Sequence, residues 1–183
     1  MNLELLVVDD ELEIRELIEA VAIDQSVRID GVVYRVKVTQ ARNGKEAYDL
    51  FQSQWFDAVI SDIKMPKMDG LDLLAGIRGL GKEVPVIFLT AFGDKNHAVR
   101  ALRLGCFDFL DKPTDLDRLR DVIHRALEVG FRGRELEREI ELRLAKFACL
   151  SPERNRQLRL VLRSMILVEK SEKRRHKPKT KPK

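Results

Sequence analysis

Cysteine is scarce in this chain, with only Cys106 and Cys149 among 183 residues. The two lie far apart in unrelated contexts, so they form neither a metal-ligand pattern nor a disulfide frame. A reducing cytoplasm is the expected setting. Long hydrophobic runs are also missing. No stretch approaches the roughly 18–20 apolar residues that span a bilayer, so no membrane insertion is expected. The opening MNLELLVVDDELE turns acidic at Asp9 and has no basic start or long apolar run, which does not read as a secretory leader. Aromatics make up 6% of the chain, and after Phe131 only Phe147 remains. The C-terminal third therefore offers almost no rings on which bases could stack.

Charge is abundant. Asp, Glu, Lys and Arg make up 35% of the residues and apolar types 44%, the balance of a soluble globular protein with much exposed helix. The net charge of +4 hides an asymmetry. Residues 131–183 carry 17 basic and 7 acidic side chains, or +10, which leaves −6 on residues 1–130. The break near Gly130 marks the expected domain boundary: a domain over 1–130, a helical extension over 131–170 and a basic, disordered tail over 171–183.

Within the first 130 residues, short apolar runs alternate with amphipathic segments. Leu3–Val8, Asp57–Ser61, Val84–Thr90 and Cys106–Leu110 read as strands, the first two apolar on both faces. Helices are predicted over Glu11–Ala22, from Asn43-Gly44 to Phe51, and over Leu71–Arg78, Lys95–Leu104 and Asp115–Val129. A further strand falls within Val32–Ala41. Ahead of it, Asp30-Gly31 between β-rich runs is a two-residue hairpin signal. It predicts an extra strand at Ser26–Ile29, with an ordered loop as the alternative. Five strands alternating with five helices imply an α/β fold whose parallel sheet is covered on both faces. Such sheets bind ligands beyond the carboxyl ends of their strands. Asp9, Asp10, Asp62 and Thr90 all sit at strand ends of this kind.

A single aspartate at a strand end is an ordinary turn residue. An Asp-Asp pair plus a third Asp on a neighbouring strand is a concentration of like charge that needs a counter-ion. A hard divalent cation such as Mg²⁺, which takes oxygen ligands, fits that need. The stretches LLVVDDE, DAVISDIKMPKMDGLDLL, VPVIFLTAFGD and GCFDFLDKP resemble the receiver domain of two-component response regulators over residues 1–130. The resemblance implies a flavodoxin-like, doubly wound five-stranded parallel sheet of order 2-1-3-4-5, here with an extra edge strand.

It also implies roles. Asp62 becomes the phosphoacceptor for a sensor histidine kinase or phosphotransfer protein. Asp9 and Asp10, with Asp62 and the Lys64 backbone carbonyl, become the Mg²⁺ ligands. Lys112 pairs with Asp62 and then with the phosphoryl group, aimed by a cis peptide before Pro113. Thr90 supplies a switch hydroxyl and Ala91 beside it leaves room. Phe109 takes the place of a switch aromatic, without the hydroxyl that a tyrosine would carry; plain core is its alternative reading. The implied protein is a phosphoacceptor switch and not an enzyme of metabolism.

Two helices are predicted beyond Gly130. Glu135–Phe147 carries Leu136, Ile140, Leu144 and Phe147 along one face. A second helix starting at Ser151-Pro152 carries Leu158, Val161, Leu162, Met165 and Ile166. Stripes on so short a segment must pack on each other, on the domain before them or on a second chain. The first stripe continues from Leu116, Leu119, Ile123 and Leu127 of the fifth helix, so the expected outcome is a long extension of that helix that pairs with its twin as a coiled-coil homodimer or with a helical partner, with the second helix folded alongside. The 24 residues RLAKFACLSPERNRQLRLVLRSMI resemble the linker and first helix of a LuxR-type DNA-binding domain. Only 31 residues follow Pro152, about half of what such a module needs. Weak nucleic-acid binding by the basic tail is the competing expectation.

Overall fold

The computed structural model describes residues 2–24, 26–91, 95–147 and 151–175. In chain order the elements are β1 (Asn2–Val8), α1 (Leu12–Ile23), β2 (Ser26–Ile29), β3 (Val32–Ala41), α2 (Gly44–Ser53), β4 (Ala58–Ser61) and α3 (Gly70–Gly79). There follow β5 (Val86–Thr90), α4 (Lys95–Arg103), β6 (Asp108–Asp111), α5 (Leu116–Leu144), a 3₁₀ turn (Ala145–Phe147) and α6 (Pro152–Arg175). The chain divides into two compact units, one ending at Gly133 and the other starting at Arg134. No helix among the described residues is long and apolar enough to cross a membrane.

The first unit is built on one sheet of order β2-β3-β1-β4-β5-β6. β3, β1, β4, β5 and β6 run parallel, in the doubly wound order that the sequence implied. β2 adds the extra edge strand, antiparallel to β3 with Ile29 opposite Val32. Asp30 and Gly31 turn the hairpin with φ of 50° and 88°. Both central residues of the favoured two-residue hairpin turn need positive φ, which Asp and Gly tolerate better than other residues.

Strand periodicity sorts the core into two layers. On β1, Leu3, Leu5 and Val7 face one cluster together with Ile18 and Val21 of α1 and Leu119, Ile123 and Leu127 of α5. Leu6 and Val8 face the other, with Phe51 of α2, Leu71, Leu74 and Ile77 of α3 and Ala101 of α4. Side chains that alternate at period two and are buried on both faces produce the unbroken apolar strand runs of the sequence. Local chemistry starts the helices. The Asn43 side chain accepts from the Glu46 N–H at 3.0 Å, and Asp69 from the Asp72 N–H at 2.7 Å.

The stretches read as helices over Asp115–Val129 and Glu135–Phe147 run on as one continuous helix as far as Leu144, in keeping with the stripe that they share. Gly130 resembles a helix terminator, but it lies inside α5 against β4: a Cβ there would sit 1.6 Å from the Asp57 carbonyl oxygen. The glycine permits close approach of backbone to backbone. The tail expected from Ser171 is likewise helical as far as Arg175, and the rest of it lies outside the described residues.

In the second unit, the last turns of α5 pack on α6. Leu136, Ile140 and Leu144 meet Leu162 and Ile166, with Leu158 beside them. Arg159 pairs with Glu137 at 2.7 Å and with Glu141, and Arg143 pairs with Glu139 and Glu169 at 3.0 Å each. The expected partner stripe is thereby corrected in part. Leu136, Ile140, Leu144, Leu158 and Leu162 are used inside this hairpin, while Val161 and Met165 stay 53% and 51% exposed. Two stripes on consecutive helices cover each other first because the connection between them is short. The Phe147 side chain lies outside the described part.

Candidate functional site

Strand register gathers the acidic residues. Val8 of β1 is opposite Ser61 of β4, so Asp9 and Asp62 leave the sheet side by side. Asp62 N–H donates to the Val8 carbonyl at 2.9 Å and Asp9 N–H to the Ala41 carbonyl at 3.2 Å. The place is the switch in strand order, where β1 lies between β3 on one side and β4 on the other. Carboxylate oxygens of Asp9, Asp10 and Asp62 all lie within 4.8 Å of one another. Asp9 and Asp62 are buried, at 1% and 8% exposure, and Asp10 is exposed.

Thr90 ends β5 and Lys112 follows β6, tied by the Lys112 N–H to Thr90 carbonyl bond of 2.7 Å. The Lys112 Nζ donates to Asp9 Oδ2 at 2.7 Å and lies 3.8 Å from Glu11 Oε1. This corrects the expected pairing with Asp62. The Asp9 carboxylate is almost completely shut off from water, so it depends most on a protein partner. Lys112 still acts on Asp62 through its charge. Burial pushes the Asp62 carboxyl up from its ordinary range; the Lys112 charge, the Thr90 hydroxyl and the Ile63 N–H pull against that, and the Asp9 charge adds a small push upward. The Ile63 N–H donates to Asp62 Oδ1 at 2.8 Å.

The turn after Asp62 explains the Met-Pro and Gly spacing. Met65 packs against the second core cluster, and Lys67 takes a φ of 70°. Gly70 N–H donates to the Ile63 carbonyl at 2.9 Å, and a Cβ on Gly70 would lie 2.2 Å from the Asp62 carbonyl oxygen. Only glycine lets α3 begin that close to the acidic site. Lys64 is exposed in the same turn, Ala91 is exposed after β5, and Pro113 follows a cis peptide bond from Lys112. Phe109 is half-buried and packs in the second core, its ring centroid 6.5 Å from that of Phe88, the residue paired with it on β5.

Three carboxylates share one ammonium at a site of hard oxygen donors. That donor set fits a divalent cation such as Mg²⁺.

Arg15 belongs to this site and is missing from the sequence expectation. It is 6% exposed, and its Nη1 donates to the Asp9 carbonyl at 2.7 Å and the Asp10 carbonyl at 3.2 Å. Its Nε reaches Gln40 Oε1 at 3.1 Å, and Gln40 in turn donates to Glu19. The signal was available, because Arg15 shares the i, i+3, i+7 phase of the buried Ile18 and Ala22. A cation on the apolar stripe of a helix needs a partner. Arg15→Met is expected to leave both carbonyls without a donor and let the Asp9-Asp10 backbone shift. Mg²⁺ affinity, followed by calorimetry, should fall by roughly tenfold, the range seen when outer partners of a metal site are removed. An unchanged affinity would reduce Arg15 to a fold residue.

The family model for the response regulator receiver domain matches residues 5–124. Response regulator protein PilR of Pseudomonas aeruginosa is 40% identical over 126 residues, which cover 68% of this chain and 26% of that protein. Regulatory protein AtoC of Escherichia coli is 36% identical over 132 residues, 72% of this chain and 27% of the relative. The chain thus spans about a quarter of the length of these curated relatives. Among solved structures, the receiver domain of the Francisella response regulator 1452 aligns with a TM-score of 0.60 at 29% identity, over 69% of this chain and 98% of that one. NtrX from Brucella abortus aligns with a TM-score of 0.62 at 32% identity, over 75% of this chain and 30% of that one. By its sheet order, its acidic strand ends and these matches, the chain belongs to the response regulator receiver domain family.

Proposed function

We propose that this chain is a phosphorylation-controlled cytoplasmic switch that takes a phosphoryl group onto Asp62 from a phosphohistidine of a sensor histidine kinase or phosphotransfer protein. The observation that carries the reading is the Asp62 carboxylate held among Asp9, Asp10, Thr90 and Lys112 at one sheet end. An Asp62 oxygen attacks phosphorus in line. The O–P bond forms as the P–N bond breaks, and the electron pair of that bond returns to the imidazole. Asp9, Asp10, Asp62 and the Lys64 carbonyl are the groups that would hold Mg²⁺, which supplies neutralisation of the charge on the transferring oxygens. The Lys112 ammonium moves from Asp9 to a phosphoryl oxygen as a point charge. The Thr90 hydroxyl donates to a second such oxygen, and the small Ala91 leaves room for that movement. Phe109 follows Thr90 by packing alone, since it has no hydroxyl to offer. The only turnover is loss of the chain's own phosphoryl group to water.

The helical hairpin of the second unit is the output. Its cations favour a protein partner over nucleic acid: Arg143, Arg159, Arg163 and Lys170 are all engaged with glutamates of the same hairpin. Nucleic-acid binding is the second reading, and the +10 charge of residues 131–183 favours it. Incubation with acetyl phosphate and Mg²⁺ tests the proposal. One phosphoryl group should be gained per chain, cleavable by hydroxylamine, and borohydride reduction should convert residue 62 to homoserine. Reduction at another carboxylate, or no gain in mass, would sink it.

A further inference from the structure

The outward side of α6 is apolar where a lone helix on a protein surface is normally charged. Leu160, Val161, Met165, Leu167 and Val168 are covered by nothing in the described chain: their exposures are 62%, 53%, 51%, 51% and 54%. Between Gln157 and Ser171 the helix has four charged residues, and all four turn toward α5. Arg159 pairs with Glu137 and Glu141, Arg163 with Glu137 at 3.7 Å, Glu169 with Arg143 at 3.0 Å and Lys170 with Glu139 at 3.1 Å. The polar residues left on the outer side are uncharged. Ser164 Oγ donates to the Leu160 carbonyl at 3.2 Å and Ser171 Oγ to the Val168 carbonyl at 2.8 Å. Both hydroxyls can therefore enter an interface without an unpaired donor.

The pattern has its own symmetry. Reversed about Ser164, Leu160 falls on Val168, Val161 on Leu167 and Gln157 on Ser171. A twofold interface needs a patch complementary to itself, and this one puts aliphatic on aliphatic, uncharged polar on uncharged polar, and the smallest residue on the axis. Between Gln157 and Ser171 no like charges meet. We infer that α6 pairs antiparallel with α6 of a second copy of this chain, with the dyad at Ser164, so that two hairpins form a four-helix arrangement. Met165 lies beside the axis, where the same reversal sets it against Arg163. This surface differs from the Leu136, Ile140 and Leu144 stripe, which is consumed within one chain. The inference does not rest on phosphorylation, so it is tested without any phosphodonor.

The full chain should sediment as a dimer at tens of micromolar. V161E/L167E places like charges across the axis and should weaken the dimer by roughly a hundredfold or more. The same variant should keep its helical circular dichroism, and its melting point should equal that of the wild type at concentrations too low for the dimer, because both side chains are more than half exposed in the hairpin. V161E/L167K should dimerise at least about tenfold more tightly than V161E/L167E, because residue 161 of one copy meets residue 167 of the other only when the helices run antiparallel. A monomeric wild type, a V161E/L167E dimer as tight as wild type, or equal weakness of the two variants would each overturn the inference.

Discussion

Asp62→Asn is expected to abolish phosphorylation while leaving the domain as stable as before or more so. Asparagine keeps the shape of aspartate, and its Oδ1 can still accept from the Ile63 N–H, which now lies at 2.8 Å. What it loses is the nucleophile, since a neutral amide oxygen does not attack phosphorus at neutral pH. Phosphoryl incorporation should drop below detection, with no transfer to Asp9 or Asp10. In the folded protein the Asp62 carboxyl sits above its ordinary range because burial disfavours the charge, and Lys112, Thr90 and the Ile63 N–H offset only part of that.

The direction of that shift fixes a pH dependence. The native state binds the Asp62 proton more tightly than the unfolded state does. Its contribution to stability is fully present below the unfolded pKa and is lost as pH rises through the raised folded value. At neutral pH without Mg²⁺ the ionised carboxylate therefore works against the fold. Urea melts of wild type and Asp62→Asn should differ most at pH 7, with the variant ahead, and converge once the pH falls below the ordinary carboxyl range. Mg²⁺ should close the gap at pH 7 by stabilising the wild type. A variant that melts earlier than wild type at pH 7 would mean that the carboxylate contributes more to the fold than its burial takes away.

Much of this site was legible from sequence because its parts sit at strand ends, and strand ends are visible. An apolar run that stops at Asp9 or Asp62 announces both a buried strand and a polar group at its carboxyl end. Asp30-Gly31 fixed the edge hairpin through turn chemistry alone, and β2 and β3 have the expected bounds. Readings that depended on what lies across space fared differently. Lys112 pairs with Asp9 and not Asp62, a choice between two buried carboxylates that no local pattern encodes. Arg15 looked like one more charge on an amphipathic helix until its phase was set beside the carbonyls it reaches. Val161 and Leu162 are neighbours in one apolar stretch, yet one faces out and the other faces α5; only packing distinguishes them.

Gly130 and Gly133 turn this difference into an experiment with opposite signs. Both lie inside α5, three residues apart, and a helix-propensity scale treats them alike: alanine should gain about 0.8–1 kcal/mol at either. At Gly133 a Cβ meets nothing within 4 Å, so Gly133→Ala should raise stability by roughly that amount. At Gly130 the Cβ would stand 1.6 Å from the Asp57 carbonyl oxygen, 2.5 Å from its carbon and 3.0 Å from its Cα. These are backbone atoms at the entry to β4, where Asp57 N–H donates to the Glu4 carbonyl at 2.7 Å and Asp57 Oδ2 accepts from the Glu4 N–H at 2.8 Å. No rotamer change relieves the contact. Either α5 withdraws from the sheet, opening the cluster around Ile123, Leu127 and Phe131, or the Asp57 backbone moves and loosens its bonds to β1. Gly130→Ala should therefore destabilise by about 3 kcal/mol, the upper end for forced overpacking, because the wall is backbone. Parallel urea titrations of the two variants and wild type give the answer directly. Equal shifts of the two midpoints in the same direction would show that α5 does not approach β4 this closely.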